Sequence, residues 1–117
     1  MTAPRDIRLY VDDMIAATAE LAAIAADGEP AFKASLRTRL AAERLIEILG
    51  EAASQVPADF REQHTGVPWR ALAATRNRII HGYHSVDADR VWALVTTSTT
   101  ELQTQLKAVL NALNKAS

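Results

Sequence analysis

The chain has 117 residues, 49% of them hydrophobic and 23% charged, with four Gly, four Pro and no Cys. This composition fits one globular helical domain with a modest core rather than a disordered segment. The missing cysteines exclude disulfides, thiolate nucleophiles and cysteine-based metal sites. A formal net charge of -1 excludes a general polyanion binder, because such affinity needs many neutralised phosphates, but it leaves room for a local anion site.

Taken in chain order, the first helix is expected to open near Pro4, which suits a first turn, and to run to about Ala26. Ile7, Val11, Met14, Thr18, Leu21 and Ala25 follow the three-four spacing of one buried stripe. Asp27-Gly28-Glu29-Pro30 stops it. A second helix is predicted from about Ala31 to Ser54, with Ala41, Leu45, Ile48 and Ala52 as its stripe and Phe32, Leu36, Leu40 and Leu49 widening the apolar surface. Gly50, inside it, reads as a close helix crossing. Pro57 to Gly66 is a loop or one short helical turn. Pro68 then starts a helix with Trp69, Leu72, Arg76, Ile79 and Tyr83 along one stripe, and the pattern fades at Gly82. Asp87 suits the N-cap of a last helix carrying Trp92, Val95, Thr99, Leu102, Leu106, Val109 and Leu113. Four long helices and a short one imply an all-α up-and-down bundle, without the extended heptads of a coiled coil. No secretory h-region or membrane span is evident, which makes the cytoplasm the expected location.

Charge is unevenly spread. Residues 1 to 60 carry six basic and ten acidic side chains, whereas residues 61 to 90 carry Arg61, Arg70, Arg76, Arg78 and Arg90 against Glu62, Asp87 and Asp89. All three histidines, His64, His81 and His84, fall in that second segment. Within it, Arg76-Asn77-Arg78-Ile79-Ile80-His81-Gly82-Tyr83 combines two guanidiniums, an imidazole and a phenol, the means to hold a phosphate and move a proton. On a straight helix, positions five apart differ by about 140° around the axis, so Arg76 and His81 do not share a face. Arginine reach, a turn of the backbone near Gly82, or two copies facing across a symmetric dimer would each reunite them, and the dimer carries the most weight.

Each residue also has a structural reading. Arg76 is equally compatible with a bond to helix carbonyls or to an acid, Arg78 with a solvated face, and His81 with the carbonyls at a helix end. Tyr83 fits a core aromatic with a wet hydroxyl, and Asn77 either fixes His81 or caps backbone groups. Asp12 and Asp13 read as exposed helix charges or as modulators of an anion site. Glu51 reads as an ordinary surface acid or as a group approaching the arginines. Three histidines without a carboxylate cluster argue against a dedicated metal centre.

With Arg76 to Tyr83, Ile48-Leu49-Gly50-Glu51-Ala52-Ala53, Val67-Pro68-Trp69-Arg70 and Val86-Asp87 leading to Val91-Trp92, the chain resembles the HepT-like family of HEPN proteins over roughly residues 5 to 113. The resemblance implies that residues 1–117 form a single HepT-like helical domain, a HEPN bundle that dimerises with its motif segments meeting at a cleft between protomers. It also implies a toxin that cleaves RNA, with tRNA or mRNA as substrate and no metal or other cofactor. Arg76 and His81 would be the catalytic pair, supported by Asn77 and Arg78. Tyr83 would accept adenylyl groups from ATP, added by a partner minimal nucleotidyltransferase that acts as antitoxin. Two other functions fit the same residues: a non-catalytic adaptor dimer that binds nucleotides or its partner, and a structural dimer whose polar cluster only sets orientation.

Overall fold

Asp6 ends the chain's approach to the first helix by accepting the Arg8 N–H at 2.9 Å through its own carboxylate, a side-chain N-cap that lets α1 begin at Ile7 and continue to Asp27. The computed structural model describes residues 6–81, 88–97 and 99–116, and for 76–81 and 116 the backbone alone. Pro4, expected in the first turn, lies outside the described residues, as do Gly82 and the expected cap Asp87. The middle of the expected stripe is buried, with Val11, Met14, Thr18 and Leu21 almost free of exposed surface, while Ile7 and Ala25 at its ends are half-buried. Thr18 satisfies its buried hydroxyl by donating to the Ile15 carbonyl at 2.8 Å.

Gly28 closes α1 and opens α2 (Glu29–Ala34) in one residue. Its φ of +94° is a conformation that side chains with a Cβ rarely adopt, and its N–H donates to the Ala25 carbonyl at 3.1 Å. The single second helix expected from Ala31 to Ser54 is in fact two. Ser35 is extended (φ -117°, ψ 111°), and its hydroxyl accepts the Thr38 N–H at 3.1 Å, which caps α3 (Leu36–Gln55). The Arg39 guanidinium donates to the Lys33 carbonyl and so occupies an acceptor at the end of α2. This break turns Phe32 fully inward, where it meets Trp92 at 5.2 Å between ring centroids.

The buried face of α3 also differs from the expected stripe. Ala42, Ile46, Leu49, Ala52 and Ala53 form it, so Ala52 of the expected stripe is buried, whereas Leu45 and Ile48 are half-buried and Ala41 is exposed. Leu36 and Leu40 are 61% and 54% exposed. From Ala41 to Ile48 the shift is one position, about 100° around the helix. Apolar residues occur on every side of α3, so its own periodicity does not choose the inward face; the helices it touches do. Gly50 is buried on this helix.

Between Pro57 and Gly66 the chain forms the short α4 (Ala58–Gln63), the helical alternative of the two expected there, and Pro68 precedes α5 (Trp69–His81) as expected, its carbonyl accepting the Leu72 N–H at 3.0 Å. The last expected helix is divided into α6 (Ala88–Thr96) and α7 (Thr99–Ala116). Its threonine-rich stretch explains the interruption: Thr96 donates back to the Trp92 carbonyl at 3.0 Å, and Thr99 to the Val95 carbonyl, bonds that compete with regular helix geometry. The inward stripe survives it, with Val95, Thr99, Leu102, Leu106 and Val109 all buried.

The described residues contain these seven helices and no strand, an all-α bundle. The long helices α1, α3, α5 and α7 form its frame: α1 packs between α3 and α7, and α5 lies along α3. The short α2 and α6 close the side formed by α1 and α3. Arg8 joins the two ends of the chain by donating to the Leu113 carbonyl of α7 at 3.2 Å. Lys33 of α2 bridges Glu29 at 3.0 Å and Asp89 of α6 at 2.5 Å, and the two carboxylates, Asp89 foremost, push its pKa up to about 12. Among the described residues, no helix is long and apolar enough to cross a membrane.

Candidate functional site

The start of α5 is held from two directions. Trp69, only 5% exposed, donates its indole N–H to the His64 carbonyl at 2.9 Å and meets the edge of Phe60 at 6.4 Å. His64 ends α4 and stacks on Phe60 at 4.3 Å, so the α4 turn forms an aromatic clamp on the first turn of α5. Leu72 and Thr75 line an apolar cavity with Ile46 and Leu49 of α3, which fixes how α5 rests on the core.

On this anchored helix, Arg76, Asn77, Arg78 and His81 occupy the last two turns. The helix is continuous from Trp69 to His81, so Arg76 and His81 stand about 140° apart around its axis and about 7.5 Å apart along it. Asn77 and His81, one turn apart, share a side. A change of direction near Gly82 would fall beyond the described residues, and Tyr83 lies there too.

Asp13 and Glu51 line one groove between α1 and α3, together with Tyr10, Arg44 and Gln55. Asp12 is exposed outside it. The acids of two helices separated by some forty residues thus meet in one place, which their positions in the sequence do not indicate. A second groove opens between α4 and the beginning of α5, where Arg61 and Arg70 face a common space with Glu62, Thr65 and Trp69. In the sequence both arginines belong to a basic segment, and Arg70 also to the stretch Val67-Pro68-Trp69-Arg70, but nothing there pairs them. Among the described residues, no three His, Asp or Glu side chains converge as metal ligands.

An all-helical bundle whose fifth helix carries an arginine-and-histidine signature in its last turns places the chain among small all-α proteins. Within that class the chain belongs to the HepT-like ribonuclease family: the family's sequence model, described as "Ribonuclease HepT-like", matches residues 14–109. It is similar to the "Probable ribonuclease HepT" of Thermococcus cleftensis, with 39% identity over 64 residues, 55% of this chain and 58% of the relative. It is also similar to "Putative RNase TTE0752" of Caldanaerobacter subterraneus, with 39% identity over 67 residues, 57% of this chain and 60% of the relative. "Putative RNase MJ0125" of Methanocaldococcus jannaschii is 30% identical over 110 residues, which span 94% of this chain and 90% of that protein. The first two matches therefore cover about three fifths of those relatives' length. No solved structure matches the chain.

Proposed function

We propose that the protein is a metal-independent endoribonuclease that acts as a homodimer, and that it is the toxin of a module whose antitoxin is a minimal nucleotidyltransferase. The observation that carries the ribonuclease reading is the family match across residues 14–109, which encloses the signature Arg76 to Tyr83. The helical geometry of α5 supports the dimer. Positions 76 and 81 lie on different sides of one helix. A two-fold partner beside α5 is the arrangement that would let Arg76 of one protomer act with His81 of the other.

The chemistry follows from the groups. The 2'-hydroxyl of RNA attacks the adjacent phosphorus, forming a 2',3'-cyclic phosphate and releasing a 5'-hydroxyl. Arg76 holds the nonbridging oxygens and stabilises the added charge of the five-coordinate transition state. One His81 removes the 2'-hydroxyl proton while its two-fold mate protonates the leaving 5'-oxygen. DNA lacks that nucleophile and is not cut. Asn77 orients the ring or the phosphate, and Arg78 extends the anion cleft. Adenylylation transfers AMP from ATP to the Tyr83 hydroxyl with release of pyrophosphate, placing bulk and negative charge beside the cleft and excluding RNA.

The test is cleavage of a mixed tRNA and mRNA pool in the presence of chelator by protein whose Tyr83 is unmodified by mass spectrometry. Arg76→Ala and His81→Ala each lower the rate by a factor of about 100 or more. Absence of cleavage by the unmodified wild-type protein, with RNA still bound, would establish a non-catalytic adaptor instead.

A further inference from the structure

Arg61 and Arg70 lie in a part of the bundle that the signature does not use. Arg61 belongs to α4 and Arg70 to the first turn of α5, yet both line one open groove of about 480 Å³. The Arg61 Nε is buried without a hydrogen-bond partner, although buried donors are nearly always paired. Among the described residues, neither guanidinium forms an ion pair. The one carboxylate in the groove, Glu62, leaves it a net positive charge. Trp69, which also lines the groove, is held in place by its edge contact with Phe60.

The place of Arg70 on α5 connects this groove to the signature. Asn77 and His81 follow Arg70 by seven and eleven positions, about 700° and 1100° of rotation, so all three positions fall within about 20° of one line along the helix. Ala74, an exposed position about 40° from that line, adds no bulk beside it. Arg70 and His81 are about 16.5 Å apart along the axis, a distance that a few linked nucleotides span.

We propose that the Arg61–Arg70 groove is a secondary phosphate-binding subsite that holds the RNA backbone a few nucleotides from the scissile bond. Two planar guanidinium forks suit a phosphodiester, whose nonbridging oxygens accept bidentate bonds. This subsite rests on the ribonuclease reading, because it takes its direction from the position of His81.

The experiment compares wild type with Arg70→Gln and with Arg61→Gln/Arg70→Gln, using two substrates. A 2'-O-methylated RNA of about 12 nucleotides, which cannot be cleaved by 2'-hydroxyl attack, reports binding by fluorescence anisotropy across a salt series. An unmodified dinucleotide reports turnover. The double variant weakens 12-mer binding about tenfold and lowers the slope of log affinity against log salt by about 0.7 for each phosphate no longer neutralised, while dinucleotide turnover stays within about twofold. Arg70→Gln, at an exposed position, shows the same trend at about half the size and keeps the test valid if Arg61→Gln disturbs folding. Unchanged 12-mer affinity and salt slope in a folded variant overturn the proposal. So does an equal loss with the dinucleotide, which marks a general disturbance, or loss of binding to the nucleotidyltransferase with RNA binding intact, which assigns the groove to a protein. If wild type binds the 12-mer through these arginines yet cleaves no RNA, the subsite stands as a phosphate site and the ribonuclease reading fails separately.

Discussion

Replacing Trp69 by Phe tests whether the indole bond to the α4 turn anchors the site-bearing helix. The substitution keeps a ring against Phe60 but removes the donor that meets the His64 carbonyl at 2.9 Å. A net protein hydrogen bond contributes about 1 kcal/mol. The carbonyl is not stranded, because the Val67 N–H also points to it at 3.4 Å, so the larger penalty of an orphaned buried acceptor does not apply in full. A residual void of about 30 Å³, at about 24 cal/mol per Å³, adds about 0.7 kcal/mol. The expected loss is therefore about 1.5–2.5 kcal/mol. Unfolding entropy near 2.1 cal/mol/K per residue gives about 250 cal/mol/K for 117 residues, so each kcal/mol lowers Tm by about 4 °C. Trp69→Phe then melts about 6–10 °C below wild type, and Trp69→Ala, at about 3–5 kcal/mol, about 12–20 °C below. Calorimetric melts at one fixed protein concentration provide the comparison, since the proposed dimer would make Tm concentration-dependent. A Trp69→Phe protein melting within about 1 °C of wild type, beside a strongly destabilised Trp69→Ala, would refute the anchoring role of the indole bond and leave apolar packing alone.

Two further outcomes test the fold. Lys33 is raised from its ordinary 10.5 to about 12 by its bonds to Asp89 and Glu29, so the stability it contributes is complete below 10.5 and disappears as pH rises through about 12. The difference in urea midpoint between wild type and Lys33→Met is accordingly constant from neutral pH to about 10 and narrows above it; a difference that widened over that range would contradict the assignment. On α3, Leu49→Ala costs about 2–5 kcal/mol, whereas Leu40→Gln changes monomer stability by no more than about 0.5 kcal/mol, and urea titration of both variants at low protein concentration checks which face is inward.

Much of the candidate site is legible in the sequence because its signature is contiguous. Arg76 to His81 need only a helix running past Pro68, and the backbone of α5 supplies one. The Arg61–Arg70 pair is not legible there: the two residues become neighbours only after α4 and its turn fold back on the first turn of α5. The Asp13–Glu51 groove escapes for the same reason, since it forms where α1 crosses α3. The break at Ser35 is masked because the apolar pattern continues through it, although a serine is a favoured N-cap and its hydroxyl performs that role here.

The amino-acid sequence alone determined the helical class, the inward stripe of α1, the boundaries set by Gly28 and Pro68, and the inward residues from Val95 to Val109, because each is a short-range consequence of residue spacing or backbone freedom. Only the tertiary structure decided which side of α3 faces the core, where its helix breaks from α2, and which distant charges meet. Leu36, Leu40, Ala42, Leu45, Ile46 and Leu49 surround α3 with apolar surface, so burial gains alone leave several orientations close in energy. The choice falls to the packing against α1 and α5, and to long-range bonds such as Arg8 to Leu113 and Lys33 to Asp89, whose partners no local periodicity can specify.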